Sequence, residues 1–494
     1  MTELAPSTGR TGAALASFSR VWAQASGGVL LLASSAVLTP SLFGEFVLAS
    51  SIFSVLAIFA GHGVYEYVLK ENTSKTAPMT AAVLNFCLAS VVCLLTVTLS
   101  FFVDPLFHST HVGPLMRLLS PALFLQGGNL VLETVLLRRQ HVTRVAGVMI
   151  ASDSLGLGVA LVALWLGLGP AALALQRVTR EGALLAGYAL ADKWGARAKF
   201  NPEEANHMAR FAAGIVGARL LTQGTSTSLD VAIGIVLSPA AAGLFRLANR
   251  LLAIAFDVLN YPMRTLMWVR LPPLKHDDVA FARVIMQMAA TYGVAICALI
   301  TGIAATAEPT FPLLFKPEWQ AAWPVVVIMA IARMMGWPGS LIEPLLALRG
   351  NIRLLIIWDI ANLVLGLGML LFFSRYGLVA AAASQVLSTF IAQLFTVPIV
   401  ARQCCTPLWD WLSLIGRLFA CAAIMAASVW AWLAAAPHLG VEGAGALAIA
   451  IALGATIYIV VAARLAPEGM SAYFNTARSV FAKARGAWQA IRAN

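Results

Sequence analysis

The sequence predicts an all-α polytopic membrane protein, and its composition and an internal repeat carry that prediction. Of the 494 residues, 60% are hydrophobic and 11% are charged, and the mean hydropathy is +0.84. A soluble domain carries about 25% charged residues. Because about 20 apolar residues cross the hydrocarbon core as one helix, the apolar runs predict about fourteen spans. These lie near 17–37, 45–69, 79–103, 114–136, 145–167, 170–190, 211–236, 241–265, 282–306, 321–347, 353–373, 377–400, 411–433 and 443–463.

The repeat relates two parts of this pattern. Residues 19–49 recur at 218–248 without a gap, with eleven identities in 31 positions. The identical pairs include an arginine, a glutamine, a proline and a glycine: Arg20/Arg219, Gln24/Gln223, Pro40/Pro239 and Gly44/Gly243. The offset spans six predicted helices, an even number, so both copies enter the membrane in the same direction. A parallel repeat of this kind is typical of a two-lobed transporter.

The repeat and the spans together predict the domain organisation. We expect a first lobe of six spans, a cytoplasmic linker, a second lobe of six spans, two further spans and a basic tail. The corresponding residues are 1–190, 191–210, 211–400, 401–470 and 471–494. The tail spaces aromatic residues helically between basic ones, which favours a segment on the inner leaflet; an ordinary solvated helix is the alternative.

The distribution of basic residues predicts the orientation. Lysines and arginines cluster in alternate loops, near 70–75, 138–144, 193–210, 270–275, 349–353 and at Arg402. By the positive-inside rule, these loops and both termini lie in the cytoplasm. Topology therefore explains the net charge of +11 better than nucleic-acid binding does.

Ionisable side chains at membrane depth are costly and usually face a bundle interior or a cavity. Five deep arginines are candidates for binding substrate: Arg177, Arg180, Arg219, Arg246 and Arg250. Arginine presents a fork of donors that suits a phosphate or a carboxylate. The sequence thus predicts a cationic cavity that holds an anionic ligand.

Three carboxylates are candidates for charge pairing or for ion coupling: Glu181, Asp230 and Asp257. We expect Arg177 to pair with Glu181 one turn away, and Arg246 or Arg250 to pair with Asp230 or Asp257. Arg180, Arg219 and one arginine of the eighth span would then lack a local partner, which favours a ligand. In the alternative interpretation, the charges only hold the helix bundle together.

Several function classes are disfavoured. There is no Walker motif, and no predicted loop is long enough for a catalytic domain, so we expect no enzyme and no cofactor. The polar first sixteen residues predict no removable signal peptide. His108 and His111 lack a nearby third ligand, so no metal site is expected. H⁺ or Na⁺ coupling is left open, with Asp230 as a candidate because the first copy has Leu31 there.

Segments in both lobes resemble the polysaccharide flippases of the multidrug/oligosaccharidyl-lipid/polysaccharide (MOP) exporter superfamily, the Wzx-type exporters. They are Leu38-Thr-Pro-Ser-Leu-Phe-Gly-Glu-Phe46, Gly61-His-Gly-Val-Tyr-Glu-Tyr67, the second copy from Leu237 to Asn249, and Ala347-Leu-Arg-Gly-Asn-Ile-Arg353. The resemblance implies two six-helix lobes around a V-shaped, cationic cavity, with two C-terminal helices and alternating access.

The resemblance also implies the substrate and the location. It predicts export of an undecaprenyl-pyrophosphate-linked oligosaccharide across the bacterial inner membrane for lipopolysaccharide, capsule or exopolysaccharide assembly. The partners would be the lipid-linked oligosaccharide and the bilayer, with a polysaccharide polymerase and a chain-length regulator beside them. The alternatives are a lipid II flippase, a cation-coupled multidrug exporter on the same fold, and a scaffold of a polysaccharide-assembly complex that transports nothing.

Overall fold

The computed structural model describes residues 10–61, 63–69, 76–191, 200–471 and 473, and these ranges are almost entirely helical, without a strand. The helices are α1 (Arg10–Val37), α2 (Pro40–Phe59), α3 (Val64–Leu69), α4 (Ala77–Leu99), α5 (Val103–Leu106), α6 (Val112–Arg138), α7 (Val142–Trp165), α8 (Ala171–Ala191), α9 (Pro202–Val236), α10 (Pro239–Arg270), α11 (Asp278–Leu314), α12 (Trp323–Gly336), α13 (Ile342–Leu348), α14 (Ile352–Ser374), α15 (Leu378–Gln403), α16 (Leu408–Ala435) and α17 (Gly443–Leu465). Four short 3₁₀ segments, Pro272–Leu274, Pro317–Ala322, Trp337–Leu341 and Ala436–Leu439, connect some of them.

Helices lie at every predicted span, which confirms the all-α membrane class. Within the described ranges, ten helical segments are long and apolar enough to cross a membrane. The long helices α1, α8, α9 and α10 are not among these ten, and α8, α9 and α10 carry the deep arginines. The count of fourteen spans therefore stays a prediction.

Two predicted spans are not continuous helices. The span predicted at 45–69 is divided, because α2 ends at Phe59 and α3 begins at Val64. Gly63 between them has φ +89°, and a Cβ there would lie 2.5 Å from the Cα of Ala212, so a side chain would meet both strain and a clash. The span predicted at 321–347 is divided by the 3₁₀ segment Trp337–Leu341.

The start of α9 differs from the predicted linker. Asn201 caps the helix by accepting from the backbone N–H groups of Glu203 and Glu204, and Pro202 occupies its first turn. Residues 200–210 of the predicted linker are therefore largely helical. Residues 192–199 and most of the predicted tail 471–494 lie outside the described residues.

The chain forms two compact units. The first comprises Met1–Leu247, Phe315–Trp319 and Leu370–Ala381, and the second comprises Ala248–Leu314, Gln320–Met369 and Ala382–Asn494. In the first, α8 packs against α6 and α7, α1 packs against α7, and α2 packs against α9. In the second, α11 packs against α12, α16 and α17. The predicted lobes were defined by the sequence repeat, and their boundaries differ from those of the two compact units. The division into lobes stays a prediction.

Inside the first unit, the two copies of the repeat touch each other through equivalent residues. A Cβ on Gly44 would lie 1.7 Å from the carbonyl oxygen of Pro239, and a Cβ on Gly243 would lie 2.3 Å from that of Pro40. Reciprocal contacts of this kind arise where two copies are related by an approximate two-fold axis. Only glycine permits so close an approach of the two backbones.

A candidate anion site in the first unit

Helix α8 brings a row of polar side chains into the first unit. Arg177, Glu181 and Tyr188 follow each other at spacings of four and seven residues, so they share one face of the helix. Arg180 lies beside them. Because α6 and α7 both pack against α8, these side chains meet partners from two neighbouring helices.

Arg180 is held by carboxylates on two helices. Its Nε donates to Oδ1 of Asp153 on α7 at 2.5 Å, and its Nη1 donates to Oε1 of Glu181 at 2.9 Å. Asn129 on α6 donates to the other oxygen of Glu181 at 2.8 Å. Asp153 and Glu181 are both buried. The expectation that Arg180 lacks a partner is therefore wrong, because the neighbouring helix α7 supplies a carboxylate.

Arg177 is the arginine with free donor capacity. Its guanidinium lies over the ring of Phe53 on α2, 4.7 Å from the ring centroid. Its Nε is buried and has no hydrogen-bond partner in the described part of the chain. The expected ion pair with Glu181 is not formed among these residues, since Glu181 pairs with Arg180. Cation–π contact stabilises the charge but satisfies none of the N–H donors.

A cavity of about 240 Å³ opens beside these two arginines. Helices α1, α7 and α8 line it with Ala23, Ser26, Gly27, Leu30, Asp153, Leu157, Gln176, Arg177 and Arg180. Two guanidinium groups face one carboxylate, so the wall carries a net positive charge. Its volume suits a small anionic group and not a whole drug-sized ligand.

Arg219 also has a partner, contrary to expectation. Its Nη2 donates to Oε1 of Glu66 on α3 at 2.8 Å. The second oxygen of Glu66 accepts from the backbone N–H of Gly63 at 2.5 Å. This pair fixes α3 on α9, whose contact also includes the edge-to-face rings of Tyr67 and Phe211.

The expected pairing in the eighth span is confirmed for one arginine. Arg246 donates to Oδ2 of Asp230 at 2.6 Å, and the Asp230 side chain is fully buried. The hydroxyl of Ser51 on α2 donates to the same oxygen at 3.4 Å. In the repeat, Ser51 of the first copy is the counterpart of Arg250 of the second copy, so this position is neutral in one copy and charged in the other.

The remaining candidates lie in the second unit. Arg250 and Asp257 belong to it, and Asp257 lies in the electrostatic field of Arg250 and of Arg333. Arg333 donates to Oδ1 of Asn249 at 2.7 Å. Of the five predicted arginines, Arg177 and Arg180 share one cavity, and their role in binding substrate stays a prediction. Among the described residues, no group of three or more His, Cys, Asp or Glu could hold a metal ion.

Neither Asp153 nor Glu66 was predicted from the sequence as the partner of an arginine. The i,i+4 rule detects partners within one helix, whereas these pairs join α7 to α8 and α3 to α9. The role of Asn129 had no sequence signal, because a single asparagine in an apolar span does not reveal what it faces.

Comparison with known proteins agrees with the fold. The family model "Polysaccharide biosynthesis protein" matches residues 35–324. The succinoglycan biosynthesis transport protein ExoT of Rhizobium meliloti (strain 1021) is 25% identical over 332 residues, which cover 66% of this chain and 67% of that protein. These findings confirm the expectation of a transport protein rather than an enzyme.

Solved structures show the same fold. The lipid II flippase MurJ in an inward closed conformation has a TM-score of 0.70 at 12% identity, covering 91% of this chain and 98% of that one. An inward-facing multidrug resistance transporter of the MATE family, from the MOP superfamily, has a TM-score of 0.61 at 15% identity, covering 77% and 95%. At such identities the likeness concerns the fold alone. The chain is thus a multi-pass membrane protein that belongs to the polysaccharide biosynthesis protein family and has the fold of the MOP transporters.

Proposed function

We propose that this protein flips an undecaprenyl-pyrophosphate-linked oligosaccharide across the bacterial inner membrane, with both termini in the cytoplasm, for assembly of a surface polysaccharide. The single observation that carries the proposal is the cavity beside Arg177 and Arg180. A buried guanidinium without a carboxylate partner is costly unless an anion or water completes its hydrogen bonds. A pyrophosphate supplies both the charge and the acceptors.

The two arginines have different parts in this proposal. Arg180 is fixed by Asp153 and Glu181, so its position does not depend on the ligand. Arg177 has donors to spare, and its contact with Phe53 orients the guanidinium plane. A phosphate oxygen that binds Arg177 would form charge-assisted hydrogen bonds. Gln176 in the cavity wall offers a neutral donor to the adjoining sugar, and the Ser26 hydroxyl, which donates to the carbonyl of Ala23 at 3.1 Å, offers an acceptor.

The other candidate residues form the wider electrostatic surroundings. Arg219 and Arg246 are each paired with a carboxylate, so their net attraction for an anion is weaker than that of Arg177. The polyprenyl chain would stay in lipid while alternating access moves the head group. A polymerase and a chain-length regulator would act on the product.

The test is export in cells that lack the native gene and carry variants. Arg177→Gln keeps a polar side chain, although a shorter one, and removes the charge, whereas Arg177→Lys retains a charge. We expect Gln to lower surface polysaccharide at least about tenfold, since a charge-assisted hydrogen bond contributes about 1.5–3 kcal/mol, and we expect Lys to restore part of it. Arg417→Gln is the matched control, because Arg417 pairs with Glu468 in the second unit.

The readout also identifies the substrate. A blocked flippase should accumulate lipid-linked repeat units on the cytoplasmic side, while accumulation of lipid II would assign the alternative flippase activity. Unchanged export by Arg177→Gln at wild-type membrane levels would overturn the cavity assignment.

A further inference from the structure

A polar strip runs between α6 and α8 beyond the cavity. At spacings of three and four residues, Gln126, Asn129 and Glu133 line one face of α6, and they face the row on α8 that contains Arg177, Glu181 and Tyr188. Several side-chain atoms of this strip are buried without a partner among the described residues, including the hydroxyl of Tyr188 and an oxygen of Asn129. Buried polar atoms without a hydrogen-bond partner are rare in proteins, and a cluster of them points to a functional role.

Glu133 is the member of this strip that no arginine compensates. Its Oε1 accepts a hydrogen bond from the hydroxyl of Tyr65 on α3 at 3.4 Å. No ion pair involves Glu133 within the described part of the chain, although Arg180 and Glu181 both act on it electrostatically. It is partly buried inside a helix long and apolar enough to cross a membrane.

An inventory of charge singles out the same residue. The cluster contains four carboxylates and three guanidinium groups: Glu66, Glu133, Asp153 and Glu181, against Arg177, Arg180 and Arg219. Arg219 pairs with Glu66, and Arg180 pairs with Asp153 and Glu181. Elsewhere around α6, α4 has no charged residue, and Glu45 of α2 accepts from the Ser109 hydroxyl. Asp104 of α5 accepts from the backbone N–H of Gly113, and Arg144 of α7 donates to the carbonyl of Ala191.

The excess carboxylate has two ways to exist at this depth. As an anion, Glu133 would be stabilised by the long hydrogen bond from Tyr65 and by the positive field of Arg180. Arg180 already donates hydrogen bonds to two other carboxylates. As a neutral acid it avoids the cost of an unpaired buried charge. Protonation also brings the seven ionisable groups of the cluster to exact neutrality, with three anions and three cations.

We propose that Glu133 binds a proton and that this proton is linked to anion binding beside Arg177 and Arg180, an inference that rests on the proposed function. An anion in the cavity offsets the positive field of Arg180, which is the cation that supports ionised Glu133. The fraction of Glu133 that is ionised in the empty protein then takes up a proton from solvent. Because linkage is reciprocal, protonation of Glu133 strengthens anion binding by the same factor.

The experiment measures proton uptake on binding. Purified full-length protein in nanodiscs is titrated with inorganic pyrophosphate by calorimetry between pH 6 and 8, in buffers that differ in protonation enthalpy. Pyrophosphate itself titrates in this range, so the quantity compared is the difference between wild type and Glu133→Gln. We expect wild type to take up one more proton, at most, and its affinity to rise by up to about tenfold per unit fall in pH relative to the variant.

Two further variants separate the explanations. Glu343→Gln is the matched control, because Glu343 is exposed in the second unit and pairs with Arg264; it should keep the wild-type proton uptake. Tyr65→Phe removes the hydrogen bond that Glu133 accepts from the Tyr65 hydroxyl without touching the carboxyl group, and it should change the pH at which uptake occurs. Infrared difference spectra provide a second readout on wild type, in which pyrophosphate should raise a protonated carboxyl band that Glu133→Gln lacks.

The failures are distinguishable. If wild type does not bind pyrophosphate at all, the anion site of the proposed function falls and the linkage falls with it. If wild type binds pyrophosphate, loses binding in Arg177→Gln, and yet shows the same proton uptake as Glu133→Gln, the linkage alone is overturned.

Discussion

The contact between the two copies of the repeat makes a quantitative prediction about Gly44. In Gly44→Ala, the new Cβ would lie 1.7 Å from the carbonyl oxygen of Pro239 and 2.5 Å from its carbonyl carbon, whereas real Cβ contacts are essentially never under 3.0 Å. The starts of α2 and α10 must therefore separate by about 1.3 Å. The obstacle is backbone, so no rotamer change can relieve it.

The energetic consequences oppose each other and one dominates. Alanine in a helix is favoured over glycine by about 0.5–1 kcal/mol. Overpacking a well-packed contact costs about 1–3 kcal/mol, with backbone clashes at the upper end. We expect Gly44→Ala to destabilise the protein by about 2 kcal/mol net, and Gly243→Ala, whose Cβ would lie 2.3 Å from the oxygen of Pro40, to behave alike.

The assay is thermal unfolding in detergent, followed by the fluorescence of the tryptophans. Gly158→Ala is the matched control: Gly158 also lies inside a helix, but a Cβ there meets nothing within 4 Å. It should be neutral or stabilising, because only the helix preference remains. Equal melting temperatures for Gly44→Ala and Gly158→Ala would refute the reasoning, since they would mean that the close approach does not exist.

Three other predictions concern groups elsewhere in the fold. Asp230→Asn should destabilise the first unit by up to about 3 kcal/mol in thermal unfolding, since it breaks a buried pair, and wild-type stability would contradict the pairing with Arg246, whose side chain is one-third exposed. Trp319→Phe should cost about 1–2 kcal/mol, because its buried indole donates to the carbonyl of Leu38 at 3.1 Å; the same change at Trp409, which is 75% exposed, is the neutral control. Burial raises the pKa of the Cys404 thiol to about 12, so at pH 8 a membrane-impermeant maleimide should label exposed Cys405 and leave Cys404 unmodified. Labelling of Cys405 from the periplasmic side would contradict the predicted orientation, which places this loop in the cytoplasm.

The sequence predicted the class and the location of the helices because both follow from local composition. Apolar runs of sufficient length mark the helices, and the break at Thr39-Pro40 marks a helix start through capping and the fixed φ of proline. The start of α9 at Pro202 was missed, because it lies inside the polar segment predicted as a linker. The interruption between α2 and α3 was missed. Hydropathy averages over a window, so it does not register a backbone conformation at Gly63.

The sequence located the helices that carry the candidate arginines but predicted only part of their pairing, and their role in binding substrate stays a prediction. The pairing of Arg246 with Asp230 joins helices that are adjacent in sequence, so proximity along the chain made it predictable. The partners of Arg180 and Arg219 come from α7 and α3, and only the packing of helices decides them. As a result, the two arginines differ from the prediction in opposite ways. Arg180 pairs with Asp153 and Glu181, whereas Arg177, which was expected to pair with Glu181, has a buried Nε without a hydrogen-bond partner among the described residues.

The central claim is that an uncompensated Arg177 recognises the phosphate of a lipid-linked sugar, and translocation in proteoliposomes tests it most directly. Vesicles of equal protein content would contain wild type, Arg177→Gln or Arg417→Gln with an undecaprenyl-pyrophosphate-linked oligosaccharide, and a lectin outside would report its arrival. We expect wild type and Arg417→Gln to translocate the lipid at equal rates and Arg177→Gln to be at least about tenfold slower, because it loses a charge-assisted hydrogen bond. Translocation by Arg177→Gln at the wild-type rate would contradict it.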